Sequence, residues 1–302
     1  MDQQQLRTEE TLSQLQALRS QEERFYTVRS NYLGEITSNN SMSMTDNVDL
    51  TCRSMMVQWI YQILDYCQYS KETGEHALSL LDRACENDPT LLQDRSLYQL
   101  ASMTALYTIV KIHEHEAMDP QLISNLSKGA HSVEAIEAME RRLLKAVQWT
   151  VNNPTCLSFA TLFVELLPPM EQSVKSALLD LVNLQCETSV KDYDLVQTPA
   201  STVALCALSN ALEGLGMSKS ISEDMQGFVH SLSQSGINVA LRPEVCMCLY
   251  AAIAGDDIDS CPISNNKDDG MEIDNDDQDN SCRSDCVHSS PRSVQQQTAS
   301  VV

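Results

Sequence analysis

An all-α fold is predicted by three observations. Gly and Pro number only nine each in 302 residues, while Ala, Leu, Gln, Glu and Met, which lose little on entering a helix, are plentiful. From Asp49 onward apolar residues recur at i, i+3 and i+4, the period of a helix with one buried face. Two stretches of similar length then each carry about five such helical segments, which suggests duplication of a five-helix unit large enough to be a domain. The expected organisation is an N-terminal helix and linker over 1–48, a first five-helix domain over 49–152, a second over 153–254, and a disordered acidic tail over 255–302.

Residues 1–20 are rich in Gln and Glu and read as a frayed helix. The stretch EERFYTVRSNYLGEI gathers Phe25, Tyr26, Tyr32 and Leu33, as expected of a short amphipathic helix that docks on something. SNNSMSMTDN, 38–47, is a linker of turn-forming residues. In DLTCRSMMVQWIYQILDYC the residues Leu50, Met55, Met56, Trp59, Ile60, Ile63, Leu64 and Cys67 keep helical spacing. A second helix, GEHALSLLDRAC, follows with Thr73 as its cap. RSLYQLASMTALYTIVK is apolar nearly all round and belongs at the centre of a bundle. DPQLISNLSK is a short fourth helix, and a fifth runs from Ser132 to Trp149. VNNPT, 151–155, is a hinge. The second set comprises CLSFATLFVELL, then MEQSVKSALLDLVNLQCETSV after a Pro-Pro break, then TPASTVALCALSNALEGLG with Thr198 as cap and Pro199 in its first turn. SEDMQGFVHSLSQ and RPEVCMCLYAAI complete it.

The net charge of −22 argues against direct nucleic-acid binding, which needs a basic surface to displace counterions. No basic cluster is visible in the sequence. The tail is the most acidic part, with 11 Asp/Glu against 3 Lys/Arg over 255–302, a net of −8. Eleven cysteines are scattered without a CxxC, so they read as small buried hydrophobes in a reducing compartment rather than as zinc ligands or disulfides. No apolar run reaches the roughly 18 residues that span a membrane, and the polar N-terminus is not a signal peptide. Neither GxGxxG, GKS/T nor HExxH occurs, so no catalytic role, cofactor or metal is expected. In KIHEHE, His113 and His115 flank Glu114, but neighbours at i and i+2 diverge on a helix, and a solvated helix end is the expectation there.

Two charges interrupt faces that look made for a core. Lys111 ends TALYTIVK, where a cation complements the helix dipole by about 0.3–1 kcal/mol. Glu140 shares a face with Ile136 and Leu144 at i−4 and i+4, and a carboxylate on an apolar face needs a partner.

Residues 49–160 closely resemble a cyclin box, and the likeness continues more loosely to about 254. Five signature residues of that family have counterparts in order: Arg53 in CRSMMVQWI, Asp82 in LLDRAC, Leu100 and Lys111 in LYQLASMTALYTIVK, and Glu140 in AMERRLL. NNPTCLSF is similar to the start of the family's second box, and YDLVQTPASTVALCALSNAL to that box's core helix. Departures are Cys52 for the usual Met, Gln58 for an Asp, and Ile112 for the aromatic that commonly follows the Lys.

The resemblance implies two tandem cyclin boxes and a non-catalytic subunit that binds and activates a cyclin-dependent protein kinase in the cell cycle, in nucleus and cytoplasm. It implies that Lys111 and Glu140 grip the kinase, with Ile112, Leu144 and Trp149 supplying apolar area. It implies a buried structural pair, Arg53–Asp82, joining the first two box helices. Met55, Met56, Trp59, Gln62, Tyr98 and Gln99 match a groove that docks Arg-x-Leu motifs of substrates or inhibitors, with Gln62 where the family has an acid. Ser290-Pro291 is a minimal proline-directed phosphorylation site in a PEST-like tail. The short N-terminus and the lack of a destruction box there lean towards a G1 or D-type-like cyclin, or the group expanded in diatoms. The alternatives are a cyclin of a transcriptional kinase and a cyclin-fold transcription adaptor without a kinase.

Overall fold

Asp49 opens the first bundle by accepting the Cys52 N–H at 2.8 Å, one of the orphan donors that every helix start must satisfy. The computed structural model describes residues 3–34, 48–216 and 218–256. Its α-helices are α1 (Gln3–Gln21), α2 (Leu50–Cys67), α3 (Lys71–Asn87), α4 (Arg95–His113), α5 (Pro120–Leu126), α6 (Val133–Ala146), α7 (Cys156–Leu166), α8 (Gln172–Lys191), α9 (Ala200–Gly214), α10 (Ser218–Gln234) and α11 (Pro243–Asp256). Among the described residues there is no strand. The linker expected at 38–47 lies outside the described residues, as does the expected tail beyond Asp256, Ser290 included.

The two sets of five helices repeat one plan. α4, buried almost all round from Leu100 to Val110, packs against α2, α3, α5 and α6. In the second set α9, buried from Ser201 to Leu208, packs in the same way against α7, α8, α10 and α11. Each central helix anchors its own apolar cluster. A helix without a polar face can only be placed at the middle of a bundle.

The structure corrects several local expectations. α1 is not frayed: Leu15 is fully buried in the second cluster, and Gln16 and Arg19 donate to the carbonyls of Ser235 and Asn238. The segment after it is not one amphipathic helix but a single π-turn, Glu22–Tyr26, then non-helical chain over 27–31 and a helical stretch that begins at Tyr32; Val28, Tyr32 and Leu33 are buried and Phe25 is exposed. α3 is capped by Ser70, whose hydroxyl accepts from the Glu72 N–H, three residues before Thr73. At α9 the N-cap is Pro199, without a side-chain cap, so Thr198 does not serve. Glu22 takes that role from across the fold, accepting the Ser201 N–H at 2.9 Å and the Ser201 hydroxyl at 2.6 Å. A carboxylate placed there also complements the positive end of the helix dipole.

Candidate functional site

Lys111 lies in the last turn of α4 and Glu140 in the middle of α6. α6 begins where the Ser132 hydroxyl accepts the Ala135 N–H, and it buries Ile136, Met139 and Leu143 against α4. That packing holds Glu140 at the rim, beside the end of α4. The Lys111 ammonium donates to both Glu140 oxygens, at 2.9 and 3.1 Å, and lies 4.8 Å from the centre of the Tyr107 ring. Partial burial works against its charge, but the Glu140 carboxylate outweighs that and raises the Lys111 pKa above its ordinary value. The lysine side chain stays 39% exposed and the glutamate 16%. The pair is therefore made, yet open to water on one side.

Ile112 follows Lys111 in the chain, Leu144 lies one turn beyond Glu140, and Trp149 lies just past the end of α6. Ile112 is 48% and Trp149 68% exposed, and Leu144 is half-buried. Trp149 owes its position to strained backbone. α6 ends at Ala146, three residues earlier than expected, and Gln148 and Trp149 both take left-handed φ values, +53° and +63°. The Trp149 N–H reaches back to the Leu144 carbonyl at 2.8 Å, a Schellman-type closure. Neither residue is a glycine, so each conformation costs about 1–2 kcal/mol. Strain of this kind concentrates where a side chain must be presented.

The second predicted pair is a buried hub. Arg53 is 2% exposed, and its Nη2 donates to Asp82 Oδ2 at 2.9 Å. It does more than join α2 to α3. The Tyr32 hydroxyl donates to Asp82 Oδ1 at 2.6 Å. Arg53 also donates to the carbonyls of Val190 and Lys191 at the end of α8, and its guanidinium lies 5.4 Å from the centre of the Tyr193 ring. One ion pair thus ties together the N-terminal segment and both bundles. Burial depresses the Arg53 pKa, but the Asp82 carboxylate more than offsets it, so the group stays charged.

Of the six residues of the expected docking groove, four reach the surface and two do not. Met56 and Tyr98 are core; Met55, Gln62 and Gln99 are exposed and Trp59 is half-buried. Two of the six are spoken for by packing, because their positions on α2 and α4 face the helix interface. KIHEHE is solvated at Lys111, Ile112, His115 and Glu116, but His113 and Glu114 are held in the fold. The His113 ring stacks on His76 at 4.1 Å, His76 is bound through Nδ1 to Asn153, and Glu114 accepts from the Ser70 N–H. Among the described residues no group of three His, Cys, Asp or Glu is placed to hold a metal ion.

Sequence reading missed Glu22, Glu75 and Tyr193, and it placed Tyr32 only in a segment that docks. Glu75 of α3 accepts the Cys156 N–H at 2.6 Å, so it caps α7 from the other bundle. Burial pushes its carboxyl up to about 7, against the lowering effect of that N–H. Tyr32 had a signal in the sequence, as one of several apolar residues gathered between two polar segments.

The family model for the cyclin N-terminal domain matches residues 18–152, the stretch that holds both pairs. Over that stretch the chain is similar to the cyclins. Among curated cyclins it is 25% identical over 166 residues to the G2/mitotic-specific cyclin-B of Hydra viridissima, which is 53% of this chain and 39% of that protein. It is 23% identical over 166 residues to the G1/S-specific cyclin-E1 of Rattus norvegicus, 52% of this chain and 39% of that protein. The chain thus matches about two-fifths of the length of these cyclins. Mitotic and G1/S cyclins match at similar identity, so the likeness is to the box they share. The fold is that of a viral cyclin from herpesvirus saimiri, with a TM-score of 0.59 and 13% identity over 80% of this chain and 96% of the other. Cyclins regulate kinases and are not themselves catalytic.

Proposed function

We propose that this chain is a cyclin that binds and activates a cyclin-dependent protein kinase in cell-cycle control, working in nucleus and cytoplasm. The observation that carries the reading is the Lys111–Glu140 pair, half-open at the edge of Ile112, Leu144 and Trp149. An apolar patch supplies affinity, and a few directed charges at its edge set register. A lysine with three donors and a carboxylate with several lone pairs keep hydrogen-bonding capacity beyond each other, and that capacity is what a kinase backbone would take. The kinase's regulatory αC helix and activation segment would dock there. Holding αC inward forms the kinase's own Lys–Glu pair and orders its activation loop. The cyclin contributes differential affinity for that active conformation and no chemistry. Arg53 and Asp82 keep the two boxes in the arrangement that presents the patch.

The test is capture of the protein from its own cells, with mass spectrometry and a kinase assay on the eluate. Wild type brings a kinase subunit and phosphorylating activity. Lys111→Ala with Glu140→Ala loses both while its melting curve stays close to wild type. Undiminished kinase capture by that folded double variant would overturn the assignment, and promoter DNA or polymerase without a kinase would favour the adaptor.

A further inference from the structure

Arg83 follows Asp82 on α3 and is as deeply buried as Arg53, at 3% exposure; Asp82 acts on its charge at longer range, but among the described residues no carboxylate pairs with it directly. Its Nε donates to the Ser79 carbonyl at 3.2 Å and its Nη1 to the Thr150 hydroxyl at 3.0 Å. The guanidinium stacks on Tyr26 at 4.7 Å, and Nη2 has no hydrogen-bond partner. Burial pushes its pKa down to about 10. A buried charge without a counter-ion is costly, and such unsatisfied groups mark places where a ligand completes the structure.

Arg83 lines a pocket of about 470 Å³ between the N-terminal segment, α3 and the end of α6, together with Arg24 and Arg29. Both of these are exposed, and among the described residues none of the three arginines forms an ion pair. The pocket's one carboxylate, Glu86, accepts the N–H groups of Arg29 and Ser30 on one oxygen, Oε1, both at 2.7 Å. Three guanidiniums thus face one carboxylate in a chain of net charge −22. Nothing in the sequence announced this, because Arg83 is brought to the other two only by folding.

We propose that this pocket binds a phosphoryl group carried on a serine or threonine of a partner protein. Planar guanidinium forks match phosphate oxygens two at a time, and arginine clusters are a recurrent mode of phospho-motif recognition. The local excess of positive charge suits a dianion better than a lone carboxylate. It is also confined: a polyanion such as nucleic acid would run from these three arginines onto an acidic surface that repels it. Gln148 and Thr150, just past the end of α6, close one side of the pocket. The assignment is independent of the kinase grip, since neither Lys111 nor Glu140 lines it.

The test uses the full chain and a fluorescent pool of degenerate peptides phosphorylated at a central serine or threonine, with the unphosphorylated pool as twin and anisotropy as readout. The phosphorylated pool binds at least tenfold more tightly, and inorganic phosphate competes with it. Arg24→Gln with Arg29→Gln lowers affinity at least tenfold at an unchanged melting temperature; these arginines are exposed, so the result does not depend on whether an Arg83 variant folds. Arg83→Lys, which keeps the charge and loses the fork, weakens binding as well. Equal binding of the two pools, or full binding by the Arg24/Arg29 variant, overturns the proposal. Tighter binding to phosphoinositide vesicles or to single-stranded DNA than to the phosphorylated pool overturns its assignment to a protein ligand.

Discussion

The first box contains two pairs of the same chemistry, a cation on one helix and a carboxylate on the next, and they differ in almost everything else. Arg53–Asp82 is sealed, with side chains 2% and 6% exposed, whereas Lys111–Glu140 is 39% and 16% exposed. Around the first, every further partner is internal: Tyr32, Tyr193 and two carbonyls of α8. Around the second, the neighbours Ile112 and Trp149 face water. Burial decides what an ion pair is for. Breaking a sealed pair leaves an uncompensated charge in a low dielectric, while breaking an open one returns both groups to solvent at little cost. The first pair is therefore needed for folding, and the second contributes little to it.

The largest expected effect breaks the sealed pair. Asp82→Ala should cost about 3–5 kcal/mol, read as a drop in denaturation midpoint, and kinase capture should fall only as the folded fraction falls. A loss under about 1 kcal/mol would place this pair in the same class as the open one.

Glu75 sharpens the comparison as an enclosed carboxylate with no cation. Its folded pKa of about 7 stands above the ordinary 4.5, so the native state holds a proton that the unfolded chain has lost between those values. Stability should therefore fall as pH rises from about 4.5 to 7 and be flat above. Glu75→Gln keeps an acceptor for the Cys156 N–H and removes the charge. It should raise stability by on the order of 2 kcal/mol at pH 8 and by little at pH 4, as measured by urea denaturation at the two values. A pH-independent difference would show that the shift is absent.

Lys111→Ala with Glu140→Ala should move stability by less than about 1 kcal/mol while lowering kinase affinity at least tenfold, so the two readouts separate here and not at Asp82. Smallest in stability is Trp149→Gly. Relief of the left-handed strain and the added freedom of glycine in the unfolded chain nearly cancel, within about 1 kcal/mol. Kinase capture should still weaken, because the exposed ring is gone. A melting curve beside a binding isotherm decides whether the strain at Trp149 serves presentation.

The helices, their order, the duplication and the central places of α4 and α9 were legible in the sequence, because they follow from apolar spacing within about twenty residues. So were the two pairs, since the cyclin-box pattern fixes the positions of Arg53, Asp82, Lys111 and Glu140 along their helices. Caps set by distant residues were not. Glu22 closes the start of α9 and Glu75 the start of α7, so no reading of residues adjacent to Thr198 or Cys156 could find them. The groove reading failed at Met56 and Tyr98 because helical period does not say which side of a helix a neighbour will cover. The stack of His76 on His113 and the gathering of Arg24, Arg29 and Arg83 likewise exist only once separate segments meet. Sequence alone determined which residues form helices and which face of each is apolar, since both depend on short-range backbone and side-chain preferences. Tertiary structure decided how much water each charge keeps, sealing Arg53–Asp82 and leaving Lys111–Glu140 open.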